Sequence, residues 1–309
     1  MTDYLYMLIG LICAGIGGEM FVRGAVGLAH WARISPGIIG ATVAAFGTSS
    51  PELSVAINSG LTDQSEIALG DALGSNLLNV ALILGITLCI SGIQSPRESI
   101  KRDFPVALLL PVITGIFAFN GVISRLEGAI MLSIFVIWLI LTSIDAYKQR
   151  SLTDEVIGEH RGYLSIFYTI LGLGLLILAG KFIVQGAGGI ALALGIDKFI
   201  VGATIVALGT STPELATTVI AKIKGHDEVS LGTILGSNIF NGGLIVSVAA
   251  VISSIRINLL ETLITLIFGV LSLVIAYPSR DGFIVRKRGV MLLILYVIYV
   301  YLLWQNRSV

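Results

Sequence analysis

Residues 40–53 read GATVAAFGTSSPEL, and residues 202–215 read GATIVALGTSTPEL. Ten of the fourteen positions are identical at a constant offset of 162. A second pair keeps the same register: 66–79, EIALGDALGSNLLN, matches 228–241, EVSLGTILGSNIFN, at eight of fourteen positions with no gap between the blocks. Gly24 and Gly186 carry the register further upstream. Agreement this extensive at one offset marks an internal duplication.

The duplication lies in a chain of 309 residues with 19 basic and 19 acidic side chains, only 12% charged, 55% hydrophobic and of mean hydropathy +0.95. A water-soluble fold of this length could not cover its surface with so few charges, so lipid must face most of the exterior. Zero net charge and the lack of a basic stripe exclude a nucleic-acid binder. The apolar content excludes disorder. Cys13 and Cys89 sit in apolar runs without metal-ligating neighbours, and His30, His160 and His226 lie near loops, so there is nothing from which to build a zinc site or a Ser/His pair.

A membrane-spanning helix needs roughly 20 apolar residues. That rule gives ten spans, at about 4–30, 37–60, 66–91, 103–121, 126–144, 163–192, 199–222, 228–254, 258–277 and 289–305. The first reads as a span, not as a cleaved signal, because it lacks a basic leader and runs on towards Trp31. The expected fold is an all-α polytopic membrane protein. A first five-helix unit covers 1–144, a polar linker 145–162, and a second five-helix unit 163–309. Loops after odd-numbered spans carry 13 basic residues; those after even-numbered spans, with the C-terminus, carry 4. The positive-inside rule then puts the linker in the cytoplasm and both termini outside. An offset of five spans is odd, so equivalent helices cross the membrane in opposite senses. Two inverted five-helix repeats with a binding site near the midplane are the expected plan.

The motifs supply oxygen. Pro51 and Pro213 lack an N–H, so the carbonyls of Gly47 and Gly209 lose their helical donors at membrane depth, which is tolerated only where the backbone lines a polar cavity or binds something. Thr48 and Glu52 are four residues apart on one face, as are Thr210 and Glu214, with Ser49 and Ser211 beside them. Ser75 with Asn79 and Ser237 with Asn241 repeat that spacing. The combined set holds two carboxylates, hydroxyls and amides, without sulfur or imidazole. Hard oxygen donors suit Ca²⁺ or Na⁺ and disfavour zinc, copper or iron, and intramembrane carboxylates read as functional. Asn76 and Asn238 read equally well as ligands or as pins between helices. Gly24, Gly40, Gly70, Gly74 and their mates read as close-packing positions.

The paired GTSSPEL/GSNLLN and GTSTPEL/GSNIFN motifs resemble the two alpha repeats of the calcium:cation antiporter superfamily, most of all its sodium/calcium exchanger branch of prokaryotic type, over essentially the whole chain. The resemblance implies alternating access, in which the first and sixth helices slide against the other eight. It also implies ligation of a transported cation by Ala45, Thr48, Ser49, Glu52, Ser75 and Asn79, and by their mates Ala207, Thr210, Ser211, Glu214, Ser237 and Asn241, the alanines acting through their carbonyls. Ca²⁺ and Na⁺ are the implied partners, with no cofactor, no enzyme activity and a single chain sufficient for transport. Potassium-dependent relatives resemble this pattern but carry Asp at the position of Asn241, so the amide argues against potassium. Asp71 stands where relatives have a small neutral or amide residue; it is four residues before Ser75 and eight before Asn79, on the site face. An H⁺/Ca²⁺ antiporter of the same fold is the main alternative, followed by a cation channel and an intramembrane hydrolase, for which no histidine base is at hand.

Overall fold

The computed structural model describes residues 2–61, 65–152, 162–193, 207–257 and 259–305. These form ten helical rods in chain order: α1 (Thr2–Ala32), α2 (36–61), α3 (65–90), α4 (99–118), α5 (Arg125–Leu152), α6 (Gly162–Ala193), α7 (207–223), α8 (227–252), α9 (Leu259–Ala276) and α10 (Arg286–Gln305). The plan agrees with the ten spans read from the sequence. Six rods contain a continuous stretch long and apolar enough to cross a bilayer on length and composition alone. Two of the others, α2 and α7, are interrupted at their motifs. α5 runs eight residues past Ile144, into the region expected to be linker. There it carries exposed polar residues that suit a helix leaving the membrane, and Asp145 pairs with Arg102 of α4 at 2.9 Å. Linker residues 153–161 and motif residues 202–206 lie outside the described residues.

Large apolar side chains such as Ile137, Ile170 and Val297 are more than half exposed, whereas Glu52, Glu214, Asn79 and Asn241 are buried. Apolar groups outside and polar groups inside is the arrangement that lipid demands. The main apolar core joins both halves of the chain, with Leu84, Leu110, Trp138, Ile239 and Phe240 in one cluster.

Two short antiparallel ladders reveal the symmetry. β1 (Ile93–Gln94), after α3, pairs with β4 (Phe283–Ile284), before α10. β2 (Val122–Ile123), after α4, pairs with β3 (Ile255–Arg256), after α8. Adding 162 to β1 gives β3, and adding it to β2 gives β4 within one residue. Exchange of the repeats therefore turns one ladder into the other. One ladder joins loops after odd helices and the other joins loops after even helices, which is the two-sided arrangement required of inverted repeats.

Glycines set how closely the rods approach. α1 and α6 lie side by side, and a Cβ at Gly24 would sit 2.5 Å from the backbone nitrogen of Thr169. On α8, a Cβ at Gly232 would meet the Gly37 carbonyl at 2.7 Å, and one at Gly236 the Ala41 carbonyl at 2.5 Å. Gly70 and Gly74, expected to pack in the same way, meet nothing within 4 Å among the described residues. Residues 199–206, the symmetry mates of 37–44, lie outside the described residues.

Gly236→Ala should therefore destabilise the protein by about 1–3 kcal/mol, the usual cost of forcing atoms into a packed interface. Gly269→Ala, where a Cβ meets nothing within 4 Å among the described residues, should be close to neutral. Melting temperatures of the two variants in detergent check this; equal values would refute the packing assignment.

Candidate cation-binding site

The motif helices break where proline requires it. In α2 the helical segment ends at Thr48 and Ser49 caps it at φ −85°, ψ 10°. In α7 the same break falls at Ser211, with φ −85° and ψ 8°. The dihedrals match in the two repeats, as the shared GTSxPE sequence leads one to expect. The break turns the serine side chains and the following carboxylates inward. In α3 and α8 the distortion follows the GSN motif instead. The backbone widens into a π-helix over Leu78–Leu84 and over Phe240–Ile245, so Asn79 and Asn241 lie in equivalent wide turns. Such π-turns inside α-helices occur frequently at functional sites.

These four rods converge. Asn76 Nδ2 donates to the Asn238 carbonyl at 3.2 Å, and Asn238 Nδ2 donates to the Asn76 carbonyl at 3.2 Å. The residues are symmetry mates, so the reciprocal pair marks the pseudo-two-fold between α3 and α8. Asn79 Nδ2 adds a bond to Asn238 Oδ1 at 3.3 Å. Asn76 and Asn238 thus pin the two rods together, while Asn76 Oδ1 is buried without a partner among the described residues.

Around this axis Glu214 accepts from Ser49 Oγ and from Ser237 Oγ, both at 3.3 Å. Thr48 Oγ1 lies 3.4 Å from Ser237 Oγ and donates to the Ala45 carbonyl at 3.3 Å. That carbonyl also accepts the Ser49 N–H at 2.9 Å. The equivalent donors to Glu52 would be Ser211 and Ser75. Among the described residues neither hydroxyl has a partner, nor does either oxygen of Glu52. Among the described residues the half-site around Glu214 is hydrogen-bonded and the one around Glu52 is not. Glu52 is within electrostatic reach of both Glu214 and Asp71. Thr210 is half-buried beside Ser211, and Ala207 opens the α7 segment.

Buried polar atoms without partners are rare in folded proteins and call for an explanation. Here Glu52 Oε1 and Oε2, Glu214 Oε2, Ser75 Oγ, Ser211 Oγ, Asn79 Oδ1 and Asn241 Oδ1 are buried and without partners among the described residues. All come from α2, α3, α7 and α8, and all lie within the four repeated motifs. This donor set fits a hard cation and offers nothing to a soft one. No group of three His, Cys, Asp or Glu exists among the described residues, so amides and hydroxyls must complete any coordination shell.

Asp71 is half-buried, and its Oδ2 has no partner among the described residues. Its mate, Thr233, is satisfied by donating to the Val229 carbonyl of its own helix at 2.9 Å. Thr217 and Thr218, buried on α7 with hydroxyls lacking partners among the described residues, were not picked out from the sequence. Thr218 is four residues beyond Glu214, a spacing that could have found it.

The family model described as sodium/calcium exchanger protein matches residues 2–144 and 164–305. A protein of Alkalimonas amylolytica is 35% identical over 257 residues, covering 81% of this chain and 80% of that one. A sodium/calcium exchanger of Methanosarcina acetivorans is 27% identical over 350 aligned positions, covering 98% and 99%. Among solved structures, the sodium-calcium exchanger NCX_Mj, soaked with Na⁺ and Sr²⁺, superposes with a TM-score of 0.85 at 29% identity, covering 97% of this chain and 98% of that one.

Asn238→Ala should cost more stability than Asn76→Ala. Asn238 loses a donor and an acceptor used by two neighbours, leaving the Asn79 amide and the Asn76 carbonyl buried and unmet, at about 1–3 kcal/mol each. Denaturant titration in detergent measures the difference; equal losses would show that the pins do not act as drawn.

Proposed function

The chain belongs to the sodium/calcium exchanger protein family, and from that premise we propose that it exports Ca²⁺ in exchange for Na⁺ by alternating access. The family is one of multi-pass membrane transporters, not enzymes. One observation carries the reading: two buried carboxylates at symmetry-equivalent positions, accompanied in the same motifs by buried oxygens without partners among the described residues. Glu52 and Glu214 bring the two negative charges that balance one Ca²⁺. Ser75, Ser211, Ser237, Thr48, Ser49, Thr210, Asn79 and Asn241, with the carbonyls of Ala45 and Ala207, provide the neutral donors from which its 6–8 oxygens are drawn. A half-site hydrogen-bonded at Glu214 and not at Glu52, among the described residues, fits a site that trades ligands between two arrangements.

The long rods α1 and α6 pack on each other and cross the motif rods, so they are suited to slide as a pair and expose the site to either side. The loop charge asymmetry supports a cytoplasmic linker and external termini. Both equatorial positions, Asn79 and Asn241, are neutral, which favours exchange without potassium. Na⁺ is preferred to H⁺ as counter-ion because hydroxyls and amides dominate the shell. These coordinate Na⁺ directly, whereas a proton carrier needs only the carboxylates. Asp71 lies one helical turn, about 5.4 Å, before Ser75. There it attracts or hands on cations without entering the central shell.

Glu52→Gln or Glu214→Gln should abolish Na⁺-driven uptake of radioactive calcium into proteoliposomes while the protein remains folded. Uptake near the wild-type level in either variant would remove that residue from the site. An outward Na⁺ gradient at equal pH should drive uptake and a pH gradient alone should not; the reverse result selects the H⁺ alternative. If more than two Na⁺ move per Ca²⁺, each net charge adds about 2.3 kcal/mol per 100 mV of potential, and the rate should follow imposed voltage.

Asp71→Asn should weaken apparent calcium affinity several-fold and leave exchange running. Unchanged affinity and rate would make Asp71 a bystander, and complete loss would make it a central ligand.

A further inference from the structure

On the side where α1 ends and α6 begins, a cavity of about 510 Å³ opens between these two rods and the loop joining α7 to α8. Its polar lining has no part in the cation site. Arg23 of α1 and Lys224 of the loop carry the positive charge. Ser165 and Tyr168 of α6 and the imidazoles of His30 and His226 complete the polar wall. One carboxylate, Glu19, also lines it. The fixed charges thus leave the cavity one positive charge in excess.

Arg23 is the residue that needs explaining. It is a cation on a membrane helix, and no carboxylate lies within ion-pair distance of it among the described residues. Its guanidinium is stacked over the Tyr168 ring, 5.0 Å from the centroid. Stacking fixes the plane of the group and leaves its N–H edge available for a planar, two-pronged contact. Lys224 Nζ is held by Glu19 at 2.5 Å, and both side chains are substantially exposed. Such exposed pairs are weak and rearrange readily. A stacked Arg, a nearby Lys and hydroxyl and imidazole donors suit the oxygens of a phosphate. Basic pockets between membrane helices are where anionic head groups settle.

We propose that this cavity binds a phosphate group, Arg23 gripping two of its oxygens and Lys224 a third. One excess positive charge matches a singly charged phosphodiester. The group can belong to an anionic lipid at the membrane surface or to a soluble phosphate. Either occupant would tie α1 and α6 to the α7–α8 loop.

The test uses the full chain in detergent. Native mass spectrometry measures retention of phosphatidylglycerol against phosphatidylcholine, and equilibrium dialysis measures binding of radioactive inorganic phosphate. Wild type should retain phosphatidylglycerol preferentially, and Arg23→Gln combined with Lys224→Gln should reduce that retention about tenfold, as expected on removing two charge-assisted contacts. Phosphate binding lost in the same variant, without selective lipid retention, supports the site with a soluble ligand. Arg97→Gln, an exposed cation elsewhere, should change neither result. If the double variant fails to fold, Arg23→Lys keeps the charge but removes the two-pronged contact, and should still weaken binding several-fold. Lipid and phosphate binding that are both absent, or both insensitive to these substitutions, would overturn the proposal.

Discussion

Two carboxylates held out of water at membrane depth are the constraint on which the structure turns. An isolated buried carboxylate is strongly disfavoured, and two close together are worse. Glu52 and Glu214 have little compensation from the protein: Glu214 accepts two serine hydroxyls on one oxygen, and Glu52 has no hydrogen-bond partner among the described residues. The rest of the fold makes sense as the means of bringing such groups together and keeping room for a cation between them. Proline breaks free the backbone at the carboxylates, π-turns at Asn79 and Asn241 reshape the opposing rods, and the Asn76–Asn238 exchange fixes those rods to each other.

The plan of ten helices in two inverted copies was readable because hydropathy and a gapless repeat depend only on residue identity. The same holds for the proline breaks, whose dihedrals agree between the copies to within a few degrees. Other features depend on contacts between distant segments. The cross-bonding of Asn76 and Asn238 needs the pseudo-two-fold to fall between them, which spacing along one helix does not reveal. No propensity in LNVALIL or FNGGLI announces the π-turns. The extension of α5 to Leu152 was hidden because charged residues on an emerging helix resemble a loop in hydropathy.

The repeats have also diverged. Lys222 Nζ bonds the Gly92 carbonyl at 2.5 Å and Asp227 at 2.6 Å, and Asp227 in turn accepts the Gln94 N–H at 3.1 Å. This knot ties the α7–α8 loop to β1. The equivalent positions in the first repeat are Gly60 and Ser65, which cannot form such a knot. Asp71 faces Thr233 across the symmetry, a charge against a satisfied hydroxyl. The second repeat thus has an ionic contact at its α7–α8 corner that the first lacks, and the first carries an extra carboxylate, Asp71.

The central claim is that one shared oxygen site serves both ions. Calorimetric titration of the purified chain with Ca²⁺, repeated at rising Na⁺ and at several pH values, tests it most directly. The account predicts one Ca²⁺ per chain, displaced competitively by Na⁺ with a steeper than linear dependence, since several Na⁺ replace one divalent ion. Calcium binding that ignores Na⁺, or two independent calcium sites per chain, would contradict it.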